Sequence, residues 1–277
     1  MRKIISCCIA IVLSSAIFAQ DSLTIIKKEV FHFASTRPAF TEGALLVPTN
    51  KAQIEFGTQY SFFNSTTHAI EHPSFVIKYG ISKFFEFRVN GTATTYINDS
   101  SRQTGLHPIS IGLKLKMLNA KRYAPASSFI GGLSANVIAT KNFKTTHLAP
   151  YFRILMEQFL PKNVGLMYNY GLVWNGEDAK PTYNLAIATT YTKALQNAGE
   201  KHHQFKYFFE LYAIYPHGEK FDLRINNGFS YLLNKFLQFD VSVGAGLLKN
   251  SPRFITSAGL AIRFPKKDKA PKHKEED

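Results

Sequence analysis

The chain has 277 residues, 45% of them hydrophobic and 14% aromatic, with a formal net charge of +14 and two cysteines. Both cysteines, Cys7 and Cys8, fall in a segment that reads as a removable leader, which excludes disulfides, thiol catalysis and thiolate metal sites from the remainder. No later apolar run is long enough for a transmembrane helix, so any membrane crossing must use strands.

The leader comes first. Arg2 and Lys3 form a positive n-region, Ile4 to Leu13 an apolar stretch, and Ile17-Phe18-Ala19 a cleavage site. That is the layout of a secretory signal peptide over residues 1–19, and its apolar run is too short to span a bilayer. Ile4-Ile5-Ser6-Cys7 looks like a lipoprotein box but leaves no room for an apolar segment before it. Roughly 255 residues remain after export, enough for one domain or one barrel.

Residues 20–50 precede the first strand. The stretch from Arg37 to Pro48 contains two prolines. It fits either a periplasmic lead-in, kept extended by those prolines, or a small plug in which Arg37 and Glu42 pair with charges inside a barrel. The lead-in is the favoured expectation.

From Lys51 to Phe264 the chain falls into segments of about ten residues with period-two alternation, punctuated by Gly, Pro, Asn and Lys. Ile54, Phe56, Thr58, Tyr60 and Phe62 point one way, while Gln53, Glu55, Gly57, Gln59 and Ser61 point the other. The same rhythm recurs in Phe85 to Asn90, Ile109 to Lys116, Val164 to Trp174 and Leu237 to Gly246. About twelve strands are expected, starting near residues 52, 74, 84, 109, 129, 147, 164, 182, 204, 221, 237 and 253. The polar face is rich in Gly, Ser, Thr and Asn with interspersed charge, which suits a lumen better than the outside of a soluble barrel. Tyr79, Tyr96, Trp174, Tyr183, Tyr215 and Phe264 fall near strand ends, as in interfacial girdles. The fold class expected is all-β, a transmembrane antiparallel β-barrel with longer loops on the outer side.

The last strand ends in Ser257-Ala258-Gly259-Leu260-Ala261-Ile262-Arg263-Phe264. This resembles the β-signal recognised by the barrel assembly machinery, with Ser257, Gly259, Ile262 and Phe264 at its fixed positions. Residues 265–277 follow as a charged tail expected to be disordered. With the leader removed and the tail nearly neutral, the body carries about +11.

Thr36-Arg37-Pro38-Ala39-Phe40-Thr41-Glu42-Gly43, then Val47-Pro48 and Gln53 to Gly57, resemble the start of an outer-membrane transporter family named for the meta pathway of phenol degradation. Leu166 to Trp174, Glu210-Leu211-Tyr212 and Gln238 to Gly246 resemble later parts of it. The resemblance spans about residues 36 to 264 and implies a barrel with a role in transport across the outer membrane. Arg37, Pro38, Thr41 and Glu42 carry the N-terminal motif.

Inward parity assigns Lys78, Arg88, Lys114, Lys116, Arg153, Lys206, Arg224 and Arg263 to the lumen, against Glu55, Glu86, Glu157, Glu210, Asp222 and Asp240. These charges fit a polar pore that orients solutes, or cross-strand pairs that fill a narrow barrel. Arg102, Lys141, Lys144, Lys180, Lys220 and Lys249 fall on the outer side, where lipopolysaccharide phosphates would meet them. No basic groove or motif points to nucleic acid. His68, Glu71 and His72 are read as solvated residues of a first outer loop and His202-His203 as turn residues, so no metal site is expected. Ser128 and His147 are expected at opposite ends of the barrel, and no catalytic cluster emerges. The expectation is a non-enzymatic, cofactor-free barrel in the outer membrane of a Gram-negative bacterium. Its expected partners are outer-membrane lipid, lipopolysaccharide and the assembly machinery. It would pass small solutes without energy input, apolar or aromatic ones among the candidates. A structural or adhesive barrel without an open pore is the alternative, and a lipid-modifying enzyme a remoter one.

Overall fold

The computed structural model describes residues 31–121, 124–196 and 203–264, and the expected leader and tail lie outside them. Thirteen strands form one sheet: β1 (Ala52–Phe62), β2 (His68–Gly80), β3 (Phe85–Asn98), β4 (Ser101–Leu106), β5 (Ile109–Leu118), β6 (Ala126–Ala135), β7 (Ala149–Leu160), β8 (Val164–Trp174), β9 (Pro181–Gln196), β10 (His203–Pro216), β11 (Asp222–Asn234), β12 (Leu237–Gly246) and β13 (Phe254–Phe264). Each pairs antiparallel with its chain neighbour, except that β4 and β5 both lie along β3. His107-Pro108 interrupts what is one strand position, because proline cannot donate to the ladder. The wall therefore has twelve positions, as expected from the sequence. It closes through β1 and β13, in register from Ala52↔Phe264 to Phe62↔Phe254. Closure leaves no free edge, so every wall peptide can find its partner without water.

The two faces of this wall invert the usual order. Gln53, Glu55 and Glu210 are 0% exposed, while Phe56 is 42%, Ile111 51% and Val241 54% exposed. Burying acids and exposing aliphatic residues around a whole closed sheet is stable only against hydrocarbon, with the polar groups satisfied inside. Tyr79 and Phe264 sit outward at the end with short turns, and Tyr96, Trp174, Tyr183 and Tyr215 at the end with longer loops. They form two aromatic belts, with Tyr183 and Tyr215 at 6.2 Å between ring centroids. Arg102, Lys141, Lys144, Lys180, Lys220 and Lys249 are all exposed at the loop end.

One boundary is corrected. β2 begins at His68, so the first loop is short and His68, Glu71 and His72 belong to a strand. His68 Nδ1 lies 2.7 Å from the Tyr60 hydroxyl and His72 Nε2 2.6 Å from the Thr95 hydroxyl, so both rings have strand partners. Among the turn histidines, His203 pairs with the Tyr231 hydroxyl at 3.0 Å, while His202 lies outside the described residues.

Candidate functional site: the plugged lumen

The stretch before β1 is inside the barrel. The lead-in expectation is overturned: residues 31–48 run from the turn end to about the middle of the lumen and back. Proline keeps the segment out of helix and sheet alike, so its peptide groups must be satisfied by the wall. Seven of its main-chain N–H groups donate to wall side chains. Phe31 donates to Gln204, Thr36 to Glu55, Phe40 and Thr41 to Glu210, Glu42 to Asn169, Ala44 to Glu157 and Val47 to Glu86. Its carbonyls accept in turn. Gln53 and Lys78 donate to the Ala34 oxygen, Ser128 to that of Ala44, and Lys114 to those of Gly43 and Leu45 at 2.7 and 2.9 Å. Asn169 and Gln204 each clasp one residue from both sides, donating to the carbonyl of Glu42 and Phe31 respectively.

Charges fix the two limbs. On the rising limb, Arg37 reaches Asp240 at 3.1 Å. Its side chain lies over Gly57 and Gly259, which face each other across the β1–β13 seam, and a Cβ at either would collide with the guanidinium. Gly259 was singled out for assembly; it is also half of the seat for this arginine. At the tip, Phe40 stacks on Tyr212 with centroids 4.4 Å apart, and the Arg153 guanidinium lies 5.2 Å from the Phe40 ring. Glu210 receives Phe40, Thr41 and the Thr41 hydroxyl, each at 2.8 Å, and Asn226 at 2.9 Å. On the returning limb, Glu42 receives Arg88 at 2.8 Å and Lys114 at 2.9 Å. Burial works against its charge, but Arg88 and Lys114 beside it hold its carboxyl well below the ordinary carboxylate range.

The lumen residues expected from parity are thus all on the inner wall, with different employments. Glu55, Glu86 and Glu210 hold the segment, and Glu55 also pairs with Lys78 at 2.6 Å. Arg88, Lys114 and Asp240 carry its ion pairs. Arg224 pairs with Asp222 instead. Arg153 and Lys116 form no ion pair among the described residues, and Lys116 sits half-buried at the turn end. Of the N-terminal motif, Arg37, Thr41 and Glu42 bond to the wall, and Pro38 lies at the turn between the limbs. Of the terminal motif, Ser257 faces inward and bonds Ser242 at 2.7 Å, while Ile262 and Phe264 have the outward parity. Sequence reasoning missed the role of Asn169, Gln204, Glu157 and Ser128 as main-chain partners. The sequence carried no sign of this role, since the inward wall has eight cations against six acids and main-chain partners leave no mark in side-chain pattern.

Three spaces lie in series along the segment. Above the tip is a vestibule of about 570 Å³, floored by Arg37 and Phe40 and walled by Arg153, Tyr151, Tyr212 and Arg224 among others. Between the limbs, beside Lys114, Met167 and Phe208, only about 30 Å³ remains. Below it, about 90 Å³ opens beside His32, Glu157 and Lys206 at the turn end. The middle space, at about 30 Å³, holds about one or two waters.

A family model described as MetA-pathway of phenol degradation matches residues 35–264. The crystal structure of the COG4313 outer membrane channel from Pseudomonas putida F1 superposes with a TM-score of 0.58 at 10% identity, covering 83% of this chain and 100% of that one. The KdgM porin gives a TM-score of 0.48 at 13% identity, covering 77% and 99% of the two chains, and the NanC porin 0.49 at 9%, covering 76% and 98%. Among curated protein sequences none matches this chain.

Proposed function

We propose that this chain, which belongs to the family described as MetA-pathway of phenol degradation, is a passive outer-membrane channel for small solutes, closed at rest by its own N-terminal segment. The observation that carries the reading is the sequence of three spaces: a solute-sized vestibule above a water-sized constriction formed by the segment itself. A purely structural barrel has no use for such a vestibule, and its similarity to an outer membrane channel supports the same choice. Phe40, Tyr151 and Tyr212 on the vestibule surface support aromatic solutes among the cargo. Passage is downhill and involves no catalysis or cofactor. The barrel sits in the outer membrane, its loop-end lysines and arginines against lipopolysaccharide phosphates, after delivery by the assembly machinery through its terminal motif.

The test is single-channel conductance of the refolded mature protein in a planar bilayer, beside a variant with Asp240→Ala. The wild type is expected to show brief, small openings and the variant longer ones, because Arg37 loses its anchor. Silence from both folded proteins would leave a structural barrel as the answer.

A further inference from the structure

The vestibule has an arginine with no ion-pair partner among the described residues. Four arginines reach this space: Arg37, Arg88, Arg153 and Arg224. Three are engaged, Arg37 by Asp240, Arg88 by Glu42 and Arg224 by Asp222. Arg153, half-buried on β7, lies against the Phe40 ring and near the charges of Glu42 and Glu210, but forms an ion pair with neither. A guanidinium taken out of bulk water without an acid in direct contact leaves donors that an arriving anion can satisfy. The two acids on this surface are placed otherwise: Glu42 is claimed by Arg88 and Lys114, and Glu71, on β2, interacts with Arg37 and Arg224. β3, β5 and β6 separate β2 from β7.

From this geometry we propose that the vestibule floor is a binding site for a small organic carboxylate, its carboxylate on Arg153 and its body against Phe40 and Tyr151. The proposal rests on the channel reading and gives its cargo a charge. Guanidinium presents paired donors that match a carboxylate in two parallel hydrogen bonds. The volume of about 570 Å³ lies within the range that encloses small ligands. Because Phe40 belongs to the N-terminal segment and Arg153 to the wall, a bound carboxylate touches both the gate and its frame.

The experiment is calorimetric titration of the refolded mature protein in detergent with benzoate and with its neutral analogue benzyl alcohol. Benzoate is expected to bind about tenfold or more tightly than benzyl alcohol, the difference of a charge-assisted pair. Arg153→Gln is expected to erase that preference and Arg153→Lys to keep part of it. Should Arg153→Gln fail to fold, Ser134→Glu, which puts a competing carboxylate into the same space, should weaken benzoate alone, with folding checked by heat-modifiable migration. Equal affinities for the two compounds, no benzoate binding, or full preference in the folded Arg153→Gln or Ser134→Glu protein would each overturn the site. The channel reading is judged separately by conductance: binding without flux sinks the channel and keeps the site, whereas flux without charge preference does the reverse.

Discussion

Arg37 shows how one side chain ties a segment to a wall. It lies where Gly57 and Gly259 remove two side chains from facing strands, and it ends on Asp240, whose strand partner is Gly259. A Cβ at Gly57 meets only the Arg37 guanidinium among its nearest neighbours, whereas one at Gly259 also meets the Phe56 main chain. This difference makes a double-mutant test possible. Gly57→Ala is expected to displace Arg37 and lengthen channel openings in the wild-type background. In an Arg37→Ala background the same change should have no further effect, and independent, additive effects on open time would refute the seat. Glu210 offers a second single-residue test. Glu210→Gln replaces one acceptor oxygen by a donor facing the N–H groups of Phe40 and Thr41, costing about 2–3 kcal/mol of docking. Open probability should rise steeply, and an unchanged value would mean that the tip is not held there.

At the scale of elements, the returning limb depends on a buried charge cluster. Glu42→Gln leaves Arg88 and Lys114 buried without their shared acid, a loss of about 3–5 kcal/mol for the broken pair. The limb should then become cleavable in limited proteolysis while the strands stay protected; full protection would show that main-chain bonds alone suffice. The pH response follows from the same pairings. Because the Glu42 carboxyl is held below its ordinary value of 4.5, its contribution is complete above that value and is lost only as pH falls well beneath it. Acidifying to about pH 5 should therefore leave this limb protected. The strands were legible in the sequence because each separates lipid from lumen, so its side chains alternate, as in Phe56 against Glu55. The segment was not, for a physical reason. Its bonds are made by main-chain N–H and C=O groups, which carry no sequence label, to side chains spread over many strands. Arg37 and Glu42 hinted at pairing with the inner wall, but two prolines fit an extended lead-in equally well. The histidines of β2 were misread because a bulge between Glu71 and Ser74 broke the alternation that would have extended the strand.

For the molecule as a whole, one chain builds a closed wall and the segment that fills it, held by different kinds of bond. The wall is closed by strand–strand hydrogen bonds from β1 round to β13, and residues 31–48 contribute side-chain-mediated bonds to its interior rather than rungs to its ladder. Damage to the segment and damage to the seam should accordingly have separable consequences. Deleting Ile262 to Phe264 removes the partners of Ala52, Gln53 and Ile54 and the outward aromatic at the belt. An open edge in hydrocarbon leaves peptide groups unsatisfied at several kcal/mol each. That variant should fail to insert and should lose heat-modifiable migration. Arg37→Ala, which frees the same strands from the segment without touching the ladder, should insert and migrate like the wild type while conducting more. If loosening the segment instead abolished the folded band, the segment would be part of the barrel's framework, and its closure of the lumen a structural necessity rather than a gate.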